Sequence, residues 1–167
     1  GTRLRYLLLF LGLASTCPAK ETNTLAGKVV GVSDGDTITV LDGTKTQYKV
    51  RLLGIDAQEK GQAFGQKAKG NLSDKVFGQQ VEVKWIGKDR YDRILGDIYV
   101  SERWINLEMV QDGFAWHYRQ YSTDQRLQDA EDKAKAGKTG LWADKNPEPP
   151  WDYRKRLREQ EDATESQ

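Results

Sequence analysis

The chain has 167 residues, enough for one domain with a core of ordinary size, and its balance of 31% charged to 37% hydrophobic residues excludes a multi-span membrane protein. Lys and Arg number 26 against 25 Asp and Glu, which excludes a protein that coats duplex nucleic acid through a broad basic face. With only Cys17 and His117 of their kinds, a thiolate or histidine zinc site and a histidine-based triad are improbable, and any cation should be hard and oxygen-bound.

The first element in chain order is a leader. Arg3 and Arg5 precede the apolar run Leu7–Ala14, and small residues follow to Ala19, just before Lys20. That order reads as a secretory signal cut after Ala19, too short to span a bilayer as a mature anchor. Cys17 falls inside it, and Ala14-Ser15-Thr16 is a poor fit to a lipidation signal. The expectation is therefore an exported protein, periplasmic or extracellular, with no membrane attachment in its mature form. Without residues 1–19 the basic-to-acidic count becomes 24 to 25. Such a chain should grip a few phosphates locally, with a salt slope of roughly 0.9 per phosphate neutralised.

Residues 20–26 read as a loose lead-in. Gly27–Val32, Thr37–Leu41 and Gln47–Ile55 are β-rich runs split by the turn signals Asp34-Gly35 and Asp42-Gly43. Residues 62–76 space Ala68, Leu72 and Val76 as one helix face, against the cost of Gly65 and Gly70. Val81–Trp85 alternates as a half-buried strand, and Ile94–Val100 is its partner after a turn near Asp89–Asp92. Asn106 is placed to cap a short helix through Val110 that stops at Gly113. Ser122 and Gln125 resemble a capping box for a helix with Leu127, Ala130 and Ala134 on one face, ending at Gly137. Five short strands favour a small closed or nearly closed barrel, because closure removes adhesive edges. The domain should span residues 20–145. Residues 146–167 read as a proline-containing linker and a charged, flexible tail.

Three stretches carry chemistry. Asp34-Gly35-Asp36-Thr37 opens a strand, Arg51 through Glu59 closes the next, and Asp89-Arg90-Tyr91-Asp92-Arg93 precedes another. Strand parity puts Asp36 on the same face as Ile38 and Val40, so its carboxylate must sit at a rim beside a compensating charge. Taken singly, the acids read as turn-shaping residues and the arginines as surface ion-pair partners. Together they supply carboxylates for a hard cation and guanidinium forks for an anionic ester.

These motifs, with Gly140-Leu141-Trp142 near the end, resemble the staphylococcal (micrococcal) nuclease family over roughly residues 27–145. The resemblance implies an α+β, mainly β fold: a five-stranded OB-fold barrel capped by about three helices. It also implies a calcium ion and cleavage of DNA and RNA, single-stranded or flexible, to 3′-phosphate ends by a monomer. By position, Asp36 and Asp56 fall on the calcium carboxylates, Ala57 on a main-chain carbonyl ligand, and Arg51, Glu59 and Arg93 on the catalytic residues. Tyr91, Tyr118 and Tyr121 are candidates for contacting substrate, the last two near tyrosines the family uses. Two departures stand out: Gln58 where the family commonly has proline, and Asp92 where it commonly has glycine. They keep open a second reading, the same barrel as a non-catalytic module that holds single-stranded nucleic acid. A calcium-stabilised structural domain is disfavoured by the paired arginines.

Overall fold

The computed structural model describes residues 21–166, so the proposed leader lies outside the described residues. Strands β1 (Asn23–Asp34), β2 (Thr37–Leu41) and β3 (Gln47–Leu52) form an antiparallel meander, and β5 (Gln80–Lys88) and β6 (Ile94–Val100) a hairpin. β1 also pairs with β5, and β3 runs parallel to β6, which closes the five strands into a barrel. Alternation drives the packing. Val81 and Val83 are inside while Gln80, Glu82 and Lys84 face out, and Val29, Ile38, Val40, Val50, Leu52 and Ile98 complete an interior without solvent contact.

Three helices cover the barrel as expected, with changes at their ends. α1 (Gly65–Val76) buries Ala68, Leu72 and Val76, α2 (Ile105–Gln111) buries Ile105, Met109 and Val110, and α3 (Gln125–Ala136) buries Leu127, Ala130 and Ala134. Asn106 does not cap α2. It is fully buried, accepting from the Ile98 N–H and donating to the carbonyls of Leu53 and Gly96, and so ties the start of α2 to β6 and to the chain just past β3. Asp124, rather than Ser122, caps α3 by accepting from the Arg126 N–H at 2.9 Å.

The lead-in is ordered from Asn23, since β5 extends far enough to pair Trp85 with it. The third predicted strand breaks at Gly54, whose φ of +78° turns the chain. Beyond it, β4 (Ile55–Ala57) pairs with β8 (Ala115–His117), and a short β7 (Arg103–Trp104) edges β6. The segment read as a charged tail contains α4 (Pro150–Glu165), which starts with proline in its first turn, where a missing N–H costs nothing.

Candidate active site

Asp36 enters β2 from the Asp34-Gly35 turn, and the turn is pressed against the rest of the rim. A Cβ on Gly35 would lie 2.7 Å from the Ala68 Cβ and 2.8 Å from the Ala57 Cβ, so only glycine lets β2 begin here. The Asp36 carboxylate is buried, as the parity argument requires. Oδ2 accepts from the Ala57 N–H at 2.9 Å and Oδ1 from the Thr37 hydroxyl at 3.1 Å.

Arg51 lies opposite Thr37 across the β2–β3 ladder. Its Nη1 donates to the carbonyls of Leu52 (2.7 Å) and Ile55 (2.8 Å), holding the chain reversal at Gly54. Its Nη2 stands between Asp36 (3.3 Å) and Asp56 (3.2 Å). The fork is thereby fixed in orientation with 11% of its side chain exposed. Asp56 is 1% exposed and sits in β4, after the apolar Ile55.

Glu59 follows in the loop to α1. Its N–H donates to Gln62 Oε1 at 3.1 Å, and its own carbonyl packs where a Cβ on Gly65 would fall. Gln58 is 3% exposed, accepts from the Trp116 indole at 3.0 Å and donates to the Glu148 carbonyl at 3.2 Å. The departure from proline at this position is therefore accompanied by a different set of anchors.

A residue outside the predicted set joins this group. Arg154 of α4 donates to both oxygens of Asp56 (3.1 and 2.7 Å) and to Glu59 Oε1 (2.7 Å). Burial works against its charge, but the Asp56 and Glu59 carboxylates reverse that and hold it firmly protonated. No local signal in the sequence marks it; the nearest hint is Trp151 and Tyr153 within an otherwise charged stretch.

The carboxylates outweigh the guanidinium groups. Burial and then the Asp36 charge push the Asp34 carboxyl up to about 7. Burial also lifts Asp56 to about 6, with Arg154 and Arg51 opposing and Asp36 assisting. Asp36 moves the other way, since Arg51 and its hydrogen bonds overcome the effect of burial. An excess of buried negative charge, carried by oxygen donors alone, is the environment that a hard cation relieves. Among the described residues no three acid, histidine or cysteine side chains form a ready-made cage. Asp36 and Asp56, with the Ala57 carbonyl and water, are the donors that fit.

Arg93 stands apart. It precedes Ile94, which pairs with Val50, and so lies just before the strand beside the one that carries Arg51. Its Nε bonds Asp89 at 2.7 Å, and its recorded hydrogen bonds do not reach Asp36, Asp56 or Glu59. Asp92 adopts φ +62°, the left-handed turn geometry that glycine would favour, and pairs with Lys88 rather than Arg93. Among the tyrosines, Tyr91 is 62% and Tyr121 59% exposed. Tyr118 stacks on Trp151 with centroids 5.5 Å apart and planes 6° from parallel, and meets Tyr121 edge-on at 4.8 Å. His117 is buried, its ring held by Gln128 and the Ser122 carbonyl.

A five-stranded OB-fold barrel with acids and an arginine fork converging on its rim defines a nuclease-type domain. Residues 49–144 match the family described as staphylococcal nuclease homologue. An uncharacterized endonuclease of Haemophilus influenzae is 48% identical over 152 residues, covering 91% of this chain and 84% of its own. A micrococcal nuclease of Shigella flexneri is 43% identical over 140 residues, 77% of this chain and 80% of that protein. An uncharacterized endonuclease of Escherichia coli is 44% identical over 131 residues, 78% and 85% of the respective chains. The chain belongs to the staphylococcal nuclease family.

Proposed function

We propose that this protein is an exported, calcium-dependent phosphodiesterase that cleaves DNA and RNA with little sequence preference, leaving 3′-phosphate ends. The observation that carries the reading is the Arg51 fork held between Asp36 and Asp56 at 3.3 and 3.2 Å, with Glu59 one guanidinium away from Asp56. Asp36, Asp56 and the Ala57 carbonyl would hold the cation, which when bound supplies charge to polarise a phosphoryl oxygen.

The chain's own residues do the rest. Glu59 orients a water molecule or takes its proton, worth about 10²–10⁴ in rate for a true base. The water oxygen bonds to phosphorus, the bond to the 5′-oxygen breaks, and that oxygen leaves to be protonated, so the phosphate remains on the 3′ side. Arg51 aims donors at the oxygens where charge builds up. Arg93 supplies the second fork after exchanging Asp89 for the phosphate. Tyr118 and Tyr121 offer faces to unpaired bases, and Tyr91 a third contact. The sequence of residues 1–19 supports export.

The test is single-stranded DNA incubated with calcium or with a chelator, with Glu59→Gln as control and end-group analysis of the products. The reading requires cutting that needs calcium, fades in the control and yields 3′-phosphates. Retention of the strand without cutting would favour the binding module instead.

A further inference from the structure

The loop from Asp56 to Gln62 carries both a proposed cation ligand and the proposed base, and the C-terminal segment grips it at several points. Gln58 and Gln62 both donate to the Glu148 carbonyl, at 3.2 and 2.6 Å, just before the two prolines that start α4. Gln62 also accepts from the Glu59 N–H, so one side chain links the loop to the helix entry. Tyr153 Oη lies 2.9 Å from where a Cβ on Gly61 would stand. Trp151 packs face-on against Tyr118 and edge-on against Trp116 at 5.3 Å. From this anchored first turn, Arg154 reaches Asp56 and Glu59 together.

We infer that Arg154 is a positioning residue: it fixes the Glu59 carboxylate relative to Asp56, and α4 is thereby a working part of the site. The inference rests on the nuclease reading given above. A planar guanidinium bonded to both oxygens of one carboxylate and one of a second sets their separation and relative tilt, which a point charge cannot do. Its recorded bonds reach Asp56 and Glu59 but not Asp36. Arg154 thus stands on the side of the base, and Arg51 alone spans the two proposed cation ligands. Glu59 is one-third exposed and its carboxylate has no other recorded hydrogen bond among the described residues, so without Arg154 it would sample several rotamers in water. A site on a loop is held to catalytic tolerance only by such supporting contacts.

The experiment uses the full chain with Arg154→Ala, Arg154→Lys, Glu59→Gln and the Arg154→Ala/Glu59→Gln double variant. Turnover of a single-stranded oligonucleotide with calcium is measured beside the melting temperature and the NMR order parameter of the Glu59 side chain. Arg154→Ala should lower kcat by about 10²-fold, the scale of a misplaced catalytic group, with KM changed by less than about threefold. Lysine, able to hold one carboxylate at a time, should recover about a tenth of wild-type turnover. In the Glu59→Gln background the same alanine change should cost less than about threefold, since the base it positions is gone. That order parameter should fall below about 0.6, the range of a freely moving group.

Wild-type turnover in Arg154→Ala, or a full loss persisting in the Glu59→Gln background, overturns the inference. So does a rise in turnover with tighter calcium binding, which would make α4 a plug. If the wild-type protein cuts no strand at all, the nuclease reading fails, and an unchanged order parameter would then reject the brace as well, whereas a fall would uphold it.

Discussion

Replacing Arg51 with lysine keeps the charge and removes the fork, and the structure says what that costs. Nη1 holds the Leu52 and Ile55 carbonyls at 2.7 and 2.8 Å while Nη2 faces Asp36 and Asp56. A single ammonium cannot occupy both positions. If it stays with the acids, the two carbonyls at the Gly54 reversal lose their donor. At about 1–1.5 kcal/mol for each hydrogen bond lost at a buried site, the sum is ~2–3 kcal/mol. For a domain of this size that is a drop of about 4–12 °C in melting temperature. Turnover should fall further, by about 10²–10³-fold, because a donor aimed at the charge of the transition state is lost as well. Thermal unfolding with chelator present and single-turnover cleavage with calcium measure the two effects separately. A lysine variant that melts within about 2 °C of the wild type and cuts within about threefold of its rate would refute the fork argument on both counts.

Three further outcomes follow from the same packing. Asn106→Ala strands the Ile98 N–H and the Leu53 carbonyl in the interior, while the Gly96 carbonyl keeps the Leu53 N–H, and a urea titration should show a loss of ~2–4 kcal/mol; a loss below about 1 kcal/mol would mean that water replaces the amide. Gly35→Ala drives a methyl into Ala57 and Ala68, so ~1–3 kcal/mol of stability should go, with turnover falling more than stability because Asp36 moves; unchanged turnover would detach the turn from the chemistry. Burial raises the Asp89 carboxyl, but the N–H groups of Arg93 and Tyr91 and the Arg93 guanidinium outweigh it and leave the carboxyl below its ordinary value. Its stabilising contribution is therefore present above the unfolded value of 3.8 and lost as pH falls through the lower folded value. Asp89→Asn should lower the urea midpoint more at pH 6 than at pH 2.5, and an equal effect at both would show that charge is not what holds Arg93.

The barrel was legible because alternation is a local code. Val81 and Val83 announce β5, and the parity of Asp36 with Ile38 and Val40 foretells a buried carboxylate. What escaped has no local code. β4 and β8 span three residues each, too few for a period to register. The choice of Asp89 over Asp92 by Arg93 depends on the left-handed backbone at Asp92, which sends that carboxylate to Lys88. Asn106 looks like a cap in sequence because its approach to Leu53 and to the middle of β6 exists only in three dimensions. α4 is hardest of all: among its residues only Pro150 is buried, so no apolar stripe marks it, and it docks through ion pairs to carboxylates 95 and 98 positions earlier.

The parallel seam between β3 and β6 joins Val50 to Ile94, Arg51 to Leu95 and Leu52 to Gly96, and nothing longer. Every other join in the barrel is an antiparallel ladder of at least five pairings, so this is where the cylinder should part first when it breathes. The strands on either side lead the Arg51 and Arg93 forks to the rim. Each fluctuation that unzips the seam therefore pulls the forks apart, and amide exchange at Leu53, whose N–H donates to the Gly96 carbonyl where the seam ends, becomes a gauge of how often the rim is whole.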